Sequence, residues 1–112
     1  MIYSQRDIIL IPFPYSDLSG SKKRPALVIS SENYNKIFND LIVCVITSKH
    51  LSDDYSIELN DSDLESNELP EQSVVKIHKL FTIDKKIVLK KFSTVRVEYF
   101  EKIIEKFVSL IK

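Results

Sequence analysis

The sequence contains a single glycine, Gly20, and a single cysteine, Cys44, among its 112 residues. One glycine cannot supply a P-loop or a dinucleotide-binding fingerprint, because both motifs need several glycines at fixed spacing. One cysteine excludes an internal disulfide. Cys44 lies inside the apolar run Leu41–Ile46, so we expect it to be a small buried hydrophobic side chain.

The sequence also lacks an apolar run of the ~20 residues that a membrane-spanning helix needs. The longest run near its start, Ile8–Phe13, is too short for the apolar region of a signal peptide, and Arg6 and Asp7 precede it. These observations predict a cytoplasmic protein without membrane association.

Side chains that could bind a metal ion are few and scattered. His50, His78 and Cys44 are not grouped as the ligands of a zinc site are. Asp61 and Asp63 lack the regular spacing and the glycine of a calcium-binding loop. We therefore expect no metal ion and no other cofactor, and we expect His50, in a predicted loop, to be a surface residue.

The formal net charge is zero, but the charges are segregated along the chain. Residues 53–71, here called the acidic segment, contain eight acidic residues and no lysine or arginine. The rest of the chain holds the other eight acidic residues and all 16 basic ones. A neutral protein is a poor general binder of nucleic acid, yet this segregation allows a basic face. Alternatively, the acidic segment is only a solvated loop.

The length fits one domain, residues 1–112, and pairing with a second copy would help a core of this size. Apolar and alternating segments predict short strands, Ser31–Phe38 predicts a single helical turn capped by Ser31, and Tyr15–Lys23 predicts a loop. The predicted strands are Asp7–Pro12, Pro25–Ser30, Leu41–Thr47, Tyr55–Leu59, Ser73–Lys79 and, more weakly, Ile87–Phe92.

The last segment predicts an amphipathic helix, because its apolar residues repeat at steps of three and four. They are Phe100, Ile103, Ile104, Phe107, Val108 and Ile111. Five or six short strands followed by one packing helix predict a mainly β fold, a small antiparallel barrel or sheet with a C-terminal helix.

Candidate chemical groups lie at the ends and on one face of these strands. Arg24 stands where a polar loop enters a strand, and Thr47 and Ser48 stand where a strand leaves the core. Lys76 and His78 share one face of their strand, opposite Val75 and Ile77, because side chains two apart point the same way. Strand ends converge on one rim in small barrels, so these groups could form a cluster. Each also has an ordinary reading: a β-forming threonine, a lysine that protects a sheet edge, a surface histidine.

The order of the segments resembles the MazF/PemK family of toxin ribonucleases over essentially the whole chain from Gln5 onward. The amphipathic C-terminal helix completes the match, and the family's usual Arg-Gly-Asp opening reads Gln5-Arg6-Asp7 here, without glycine. The matching stretches are Arg6–Leu10 with Pro12–Pro14, Lys23–Ile29, Val45–Ser48, Ser73–Lys76 and Phe81–Lys85.

This resemblance implies an SH3-like, partly open antiparallel barrel that forms a twofold homodimer. It implies single-stranded RNA as substrate, bound in a groove spanning both subunits, and a cognate antitoxin protein as partner. It also implies an endoribonuclease that cleaves without metal and leaves 2′,3′-cyclic phosphate and 5′-hydroxyl ends.

By position, the catalytic arginine of the family falls on Arg24 and its catalytic threonine or serine on Thr47. A second arginine and an aspartate of the PemK/Kid branch fall on Lys76 and His78. Arg24 would stabilise charge on the phosphate and Thr47 would hydrogen-bond it, while His78 could exchange protons near neutral pH. The residues predicted to contact RNA beside them are Lys22, Lys23, Ser48, Lys79 and Tyr15.

Two other functions fit the same resemblance. One is a toxin without enzymatic activity, like the gyrase poison CcdB, which acts by binding a protein. The other is a catalytically dead barrel that binds RNA or a peptide. The combination of Arg24, Thr47 and the face carrying Lys76 and His78 favours the nuclease, because a gyrase poison has no use for it.

Overall fold

The computed structural model of the chain describes residues 2–13 and 22–112. Within these ranges the chain forms six strands, two α-helices and three single turns of 3-10 helix at Lys49–Leu51, Asp61–Asp63 and Lys85–Ile87. The strands and helices in chain order are β1 Asp7–Phe13, β2 Lys22–Val28, α1 Glu32–Ile37, β3 Asp40–Ser48, β4 Ser56–Leu59, β5 Ser73–Asp84, β6 Lys90–Thr94 and α2 Val97–Ile111.

The six strands form one curled sheet in the order β4-β5-β3-β2-β1-β6, and every neighbouring pair is antiparallel. Strand β5 is long enough to pair with β3 on both sides of a register shift. Val45 pairs with Lys76 but Cys44 pairs with Leu80, so residues 77–79 have no partner on β3. Extra residues of this kind bend a strand, and they curl the sheet into a half-barrel. The predicted mainly β fold with a C-terminal helix is confirmed.

The acidic segment is part of this sheet's structure and not merely a solvated loop. Leu64 forms an antiparallel bridge with Val95, and the Glu65 amide donates to the Thr94 carbonyl at 2.8 Å. The Arg96 amide donates to the Asp63 carbonyl, also at 2.8 Å. Residues 63–67 of the segment therefore run along the end of β6 and satisfy polar groups that an edge strand would otherwise expose. The segment also contains β4, the opposite edge strand of the sheet.

Apolar side chains pack on both faces of the sheet. On one face a core lies between the sheet and α2, and it includes Leu27, Ile46 and Val75. The other face carries a second core. Its buried members are Tyr3, Ile9, Ile11, Ala26, Val28, Leu41 and Val43.

Helix α2 buries a narrower stripe than its periodicity predicts. Tyr99, Phe100 and Ile103 are buried and face the first core. Ile104, Val108 and Ile111, which the spacing grouped with them, remain exposed. The reason is that a helix in contact with one sheet face covers only part of a wide apolar surface. No helix among residues 2–13 and 22–112 is both long and apolar enough to cross a bilayer.

Three strands differ from the sequence-based expectation by three or more residues at one boundary. Strand β2 begins at Lys22 and not at Pro25, because Lys22 and Lys23 pair with the end of β1. Strand β5 continues to Asp84, held by its pairing with β3. The last strand covers Lys90–Thr94 and not Ile87–Phe92, since a 3-10 turn precedes it. Of the predicted loop Tyr15–Lys23, residues 15–21 lie outside the described residues.

The missing glycine of the opening motif has a structural consequence at Arg6. Its backbone has φ 80°, a left-handed conformation that favours glycine. Arg6 compensates with contacts that glycine could not make: its Nη1 donates to the Val95 carbonyl at 2.8 Å and pairs with Glu65 at 3.1 Å. The next residue, Asp7, is buried and accepts a hydrogen bond from Thr94 Oγ1 at 3.0 Å.

Candidate active site

A cleft of about 450 Å³ opens where the ends of several strands meet. Arg24 enters it from β2, and Thr47 and Ser48 enter it from β3. We call this opening the cleft. Its described lining residues are Leu10, Lys23, Arg24, Pro25, Ile46, Thr47, Ser48, Leu69, Pro70, Glu71, Ser73, Lys90 and Phe92.

The sheet register explains why Arg24 and Thr47 meet there. Strands β2 and β3 are antiparallel, with Ala26 opposite Val45. This pairing ends at Ala26 and Val45, and Arg24 and Thr47 lie two residues further along their strands. Residues two apart on a strand project from the same face, so Arg24 and Thr47 continue the face of Ala26 and Val45 toward the cleft. Two residues separated by more than twenty positions in the chain therefore share one rim.

The cleft combines positive charge with apolar walls. Among its described lining residues three are cationic, Lys23, Arg24 and Lys90, and one, Glu71, is acidic. Such a concave surface concentrates the field of like charges and attracts anions. The apolar part of the lining includes Leu10, Pro25, Ile46 and Phe92, and one of these is an aromatic ring. The arrangement suits a ligand that carries both phosphate groups and flat bases.

Lys76 and His78 are not among the described residues that line the cleft, but they project from the face of the sheet that carries Thr47. Thr47 is opposite Val74 in the register, and Lys76 follows two residues later on the same side of β5. Such diagonal neighbours have Cα atoms about 7–8 Å apart. The alternation predicted for this strand is confirmed, since Val75 and Ile77 are fully buried while Lys76 is partly and His78 clearly exposed.

Lys76 and His78 both approach the carboxylate of Asp53, and we call these three residues the Asp53 cluster. Lys76 Nζ donates to Asp53 Oδ2 at 2.9 Å, and His78 Nε2 lies 3.8 Å from the same oxygen. The other oxygen, Oδ1, accepts hydrogen bonds from the Tyr55 amide at 2.9 Å and the Ser56 hydroxyl at 3.0 Å. The hydrogen bond from Lys76, followed by that from the Tyr55 amide, lowers the pKa of Asp53 from 3.8 to about 2.

The remaining predicted site residues lie in different places. Lys23 and Ser48 line the cleft. Lys79 is exposed on the part of β5 that has no partner on β3. Lys22 is described only as the first residue of β2, and Tyr15 lies outside the described residues.

The contacts of two residues near the site, His50 and Asp53, were not predicted from the sequence. His50 is exposed, as expected, but its Nδ1 lies 2.9 Å from the hydroxyl of Ser48 in the cleft. The spacing of two residues between Ser48 and His50 could have indicated this contact. Asp53 lies 23 residues from Lys76, and nothing local in the sequence links the two.

The predicted burial of Cys44 is confirmed. Its side chain is fully buried in the first core, and this burial raises the pKa of the thiol to about 12. A thiol held protonated in this way is a poor nucleophile and a poor metal ligand. Across the part of the chain that the structure describes, no three His, Cys, Asp or Glu side chains are grouped as around a metal ion.

The fold and the cleft together define a small half-barrel protein with a cation-lined cleft. Residues 4–111 match the family model described as PemK-like, MazF-like toxin of type II toxin-antitoxin system. The chain therefore belongs to this family. The comparison with curated proteins found no match.

Solved structures of the same family share the fold. An endoribonuclease in complex with its cognate antitoxin, from Mycobacterial species, is 15% identical with a TM-score of 0.77, covering 96% of this chain and 92% of that chain. A MazE–MazF complex from Deinococcus radiodurans is 19% identical with a TM-score of 0.75, covering 99% and 96%. The Mycobacterium tuberculosis toxin MazF-mt6 is 17% identical with a TM-score of 0.71, covering 93% and 94%. At these identities the likeness shows the fold.

Proposed function

We propose that this toxin-family protein is an endoribonuclease that cuts single-stranded RNA without a metal ion and leaves 2′,3′-cyclic phosphate and 5′-hydroxyl ends. The observation that carries the proposal is the cleft, in which Arg24 and Thr47 meet among further cationic side chains. The family membership and the structural likeness to proteins described as endoribonucleases support it.

The chemistry is an internal displacement at phosphorus. The ribose 2′-oxygen attacks the neighbouring phosphorus, the bond from phosphorus to the 5′-oxygen breaks, and a cyclic phosphate forms. A base takes the proton of the 2′-hydroxyl, and an acid gives a proton to the departing 5′-oxygen. Negative charge builds on the non-bridging phosphate oxygens during this step, so fixed donors directed at them accelerate it.

Arg24 and Thr47 are the groups that we assign to the phosphate. The guanidinium of Arg24 keeps its charge at every working pH, and its planar fork matches two phosphate oxygens. The hydroxyl of Thr47 donates a hydrogen bond to one of them. Ser48, Lys23 and Lys90 in the same cleft then bind the adjacent backbone, and Phe92 offers a ring against which a base can stack.

Lys76 and His78 are the groups that we assign to proton transfer and to charge at the neighbouring nucleotide. An imidazole exchanges protons near neutral pH, which a base or acid in this reaction needs. DNA is refused in this scheme, because it lacks the 2′-hydroxyl that acts as nucleophile.

Two partners belong to the proposal. One is a second copy of the chain, with the RNA groove spanning both subunits. The other is a cognate antitoxin, and the complexes formed by structural relatives support it. An acidic peptide that folds as it binds would suit the cationic cleft.

The test is to incubate the purified protein with mixed-sequence RNA in EDTA and to analyse the fragment ends. We expect fragments with cyclic phosphate ends from the wild-type protein, far fewer in the same time from the Arg24→Ala variant, and no cutting of DNA of the same sequence. RNA that is bound but uncut would instead favour a catalytically dead binding module. A protein that neither binds nor cuts RNA would favour a toxin that acts on another protein.

A further inference from the structure

The carboxylate of Asp53 is held from two sides. On its own side, Oδ1 accepts from the Tyr55 amide and the Ser56 hydroxyl, and the Asp53 amide donates to Ser56 Oγ at 3.1 Å. These short-range bonds close a tight turn just before β4. The other oxygen, Oδ2, is thereby presented to β5, where Lys76 and His78 meet it.

A carboxylate partner restricts the conformation of a lysine side chain such as Lys76 more than it would restrict that of an arginine. A lysine ammonium moves on a flexible four-carbon stem, whereas a guanidinium is a rigid planar fork. The Lys76 side chain is only 17% exposed and its ammonium is tied to Asp53 Oδ2 at 2.9 Å. The carboxylate therefore selects one position of a side chain that would otherwise adopt several.

The imidazole of His78 is restrained by two neighbours. Its Nε2 faces Asp53 Oδ2 at 3.8 Å, within range of an ion pair when the ring is protonated. The Tyr55 ring meets it edge to face, with ring centroids 6.1 Å apart, and Lys106 Nζ lies over that Tyr55 ring. With Nε2 directed at the carboxylate, Nδ1 is the nitrogen left to exchange a proton with a bound ligand.

We propose that Asp53 is a positioning residue for RNA cleavage, an inference that rests on the proposed function: its carboxylate holds the Lys76 ammonium and orients the His78 ring beside the phosphate bound at Arg24 and Thr47. Asp53 itself touches no substrate in this scheme. The role is distinct from that of the base, since a carboxylate whose pKa is about 2 is too weakly basic for that task.

The decisive variant is Asp53→Asn. The amide oxygen of asparagine can still accept the two bonds that close the turn, but it carries no charge to hold Lys76. We expect kcat on a cleavable RNA oligonucleotide to fall by about tenfold or more, because a misplaced catalytic group is costly. The KM, and the affinity for the same oligonucleotide with 2′-O-methyl groups, should stay unchanged or improve, because a negative charge has been removed.

Two further variants separate positioning from a structural role. Ser56→Ala removes one hydrogen bond that closes the same turn but keeps the Asp53 charge that holds Lys76, so it should lose much less kcat than Asp53→Asn. Lys76→Arg, introduced into the Asp53→Asn variant, should recover at least a few-fold of the lost kcat, because a guanidinium needs less help to keep one geometry.

The contrary outcomes are distinct. A rise in kcat/KM for Asp53→Asn would mean that the carboxylate competes with phosphate, and unchanged activity would mean that it has no role; either overturns the inference. Equal losses in Asp53→Asn and Ser56→Ala, with equally lowered Tm, would also overturn it in favour of a structural role. Wild-type protein that cuts no RNA overturns the proposed function as well, whereas an inactive Arg24→Ala beside a fully active Asp53→Asn overturns this inference alone.

Discussion

The two ends of the acidic segment meet the cationic part of the molecule in different ways. At the first end, Asp53 forms an ion pair with Lys76 and lies 3.8 Å from His78 Nε2. At the other end, Glu71 is one acidic residue in the lining of a cleft whose described cations are Lys23, Arg24 and Lys90. The first end holds one lysine in place, and the second end lowers the net positive charge of the cleft lining.

The comparison shows that the carboxylates of the acidic segment do not act together as one negatively charged surface. Between the two ends, Glu58 pairs with Lys49, Glu65 pairs with Arg6 and Asp61 accepts from the Leu69 amide at 2.9 Å. Each carboxylate acts on the group that the fold brings within a few ångströms, because salt and water screen longer interactions. The zero net charge of the chain is therefore compatible with a cationic cleft.

The largest effect on RNA cleavage is expected from a substitution in the cleft. Replacing Arg24 by alanine should lower the rate of RNA cleavage by about 10²–10³-fold, the usual loss when one donor to a developing anion is removed. Lys90→Ala, in the same cleft, should cost only a few-fold and mainly in KM. Rates under single-turnover conditions measure both, and circular dichroism should show that both variants fold. Equal losses in the two variants would contradict the special role of Arg24.

The Asp53 end can be tested by its titration. The folded pKa of about 2 lies below the ordinary 3.8, so the pair with Lys76 stabilises the native state above about pH 3.8, and this is lost as the pH falls toward 2. In Lys76→Met, the pKa of Asp53 should rise toward its ordinary value. Carboxyl carbon chemical shifts against pH measure it. Lys79→Met, on the same strand, should leave the Asp53 titration unchanged; a shift there would argue against a direct pair.

The middle of the acidic segment can be tested through Arg6, which pairs with Glu65. Arg6→Ala and Arg6→Gly both remove the guanidinium, but only alanine retains the steric cost of φ 80°. We expect the free energy of unfolding of the glycine variant to exceed that of the alanine variant by about 1 kcal/mol. Urea unfolding measures this difference. Equal stabilities would show that the backbone relaxes out of the left-handed region.

The smallest effect is expected at the other end of the segment. Glu71→Gln removes a negative charge from the cleft lining and should tighten binding of a 2′-O-methyl RNA by about threefold, since exposed charges contribute little. Fluorescence anisotropy measures it, and the gain should shrink at high salt. Glu68→Gln, in the same segment but not in the described lining, is the matched control. A similar gain in both variants would mean that only net charge matters.

Much of the fold could be predicted from local patterns. The hydrophobic run of β3, the alternation of Val75 and Ile77 with Lys76 and His78, and the amphipathic α2 all appear in the structure at the expected places. Boundaries were less predictable. Lys22 and Lys23 were predicted to lie in a loop, yet β2 includes them because they pair with β1. Backbone hydrogen bonds to a neighbouring strand can keep polar residues in a β-sheet.

The candidate site was predictable only as a set of residues. Arg24, Thr47 and Ser48 do line one cleft, whereas Lys76 and His78 contact Asp53 and are not among the described lining residues. The sequence indicated the first three by their positions at strand ends and by family resemblance. Neither source pointed to Asp53, because its partner Lys76 is reached through the turn before β4 and not through spacing along the chain.

By itself, the sequence determined which side of each strand and helix is apolar, and hence a small β-rich fold closed by one helix, because periodicity reports the face of an element. Only the tertiary structure decided which faces meet. The register of β2 on β3 brings Arg24 and Thr47 to one cleft, and the register of β4 on β5, with Ser56 opposite Lys76, brings Lys76 to Asp53. Contacts across the sheet depend on pairing between distant segments, and no local pattern encodes that pairing.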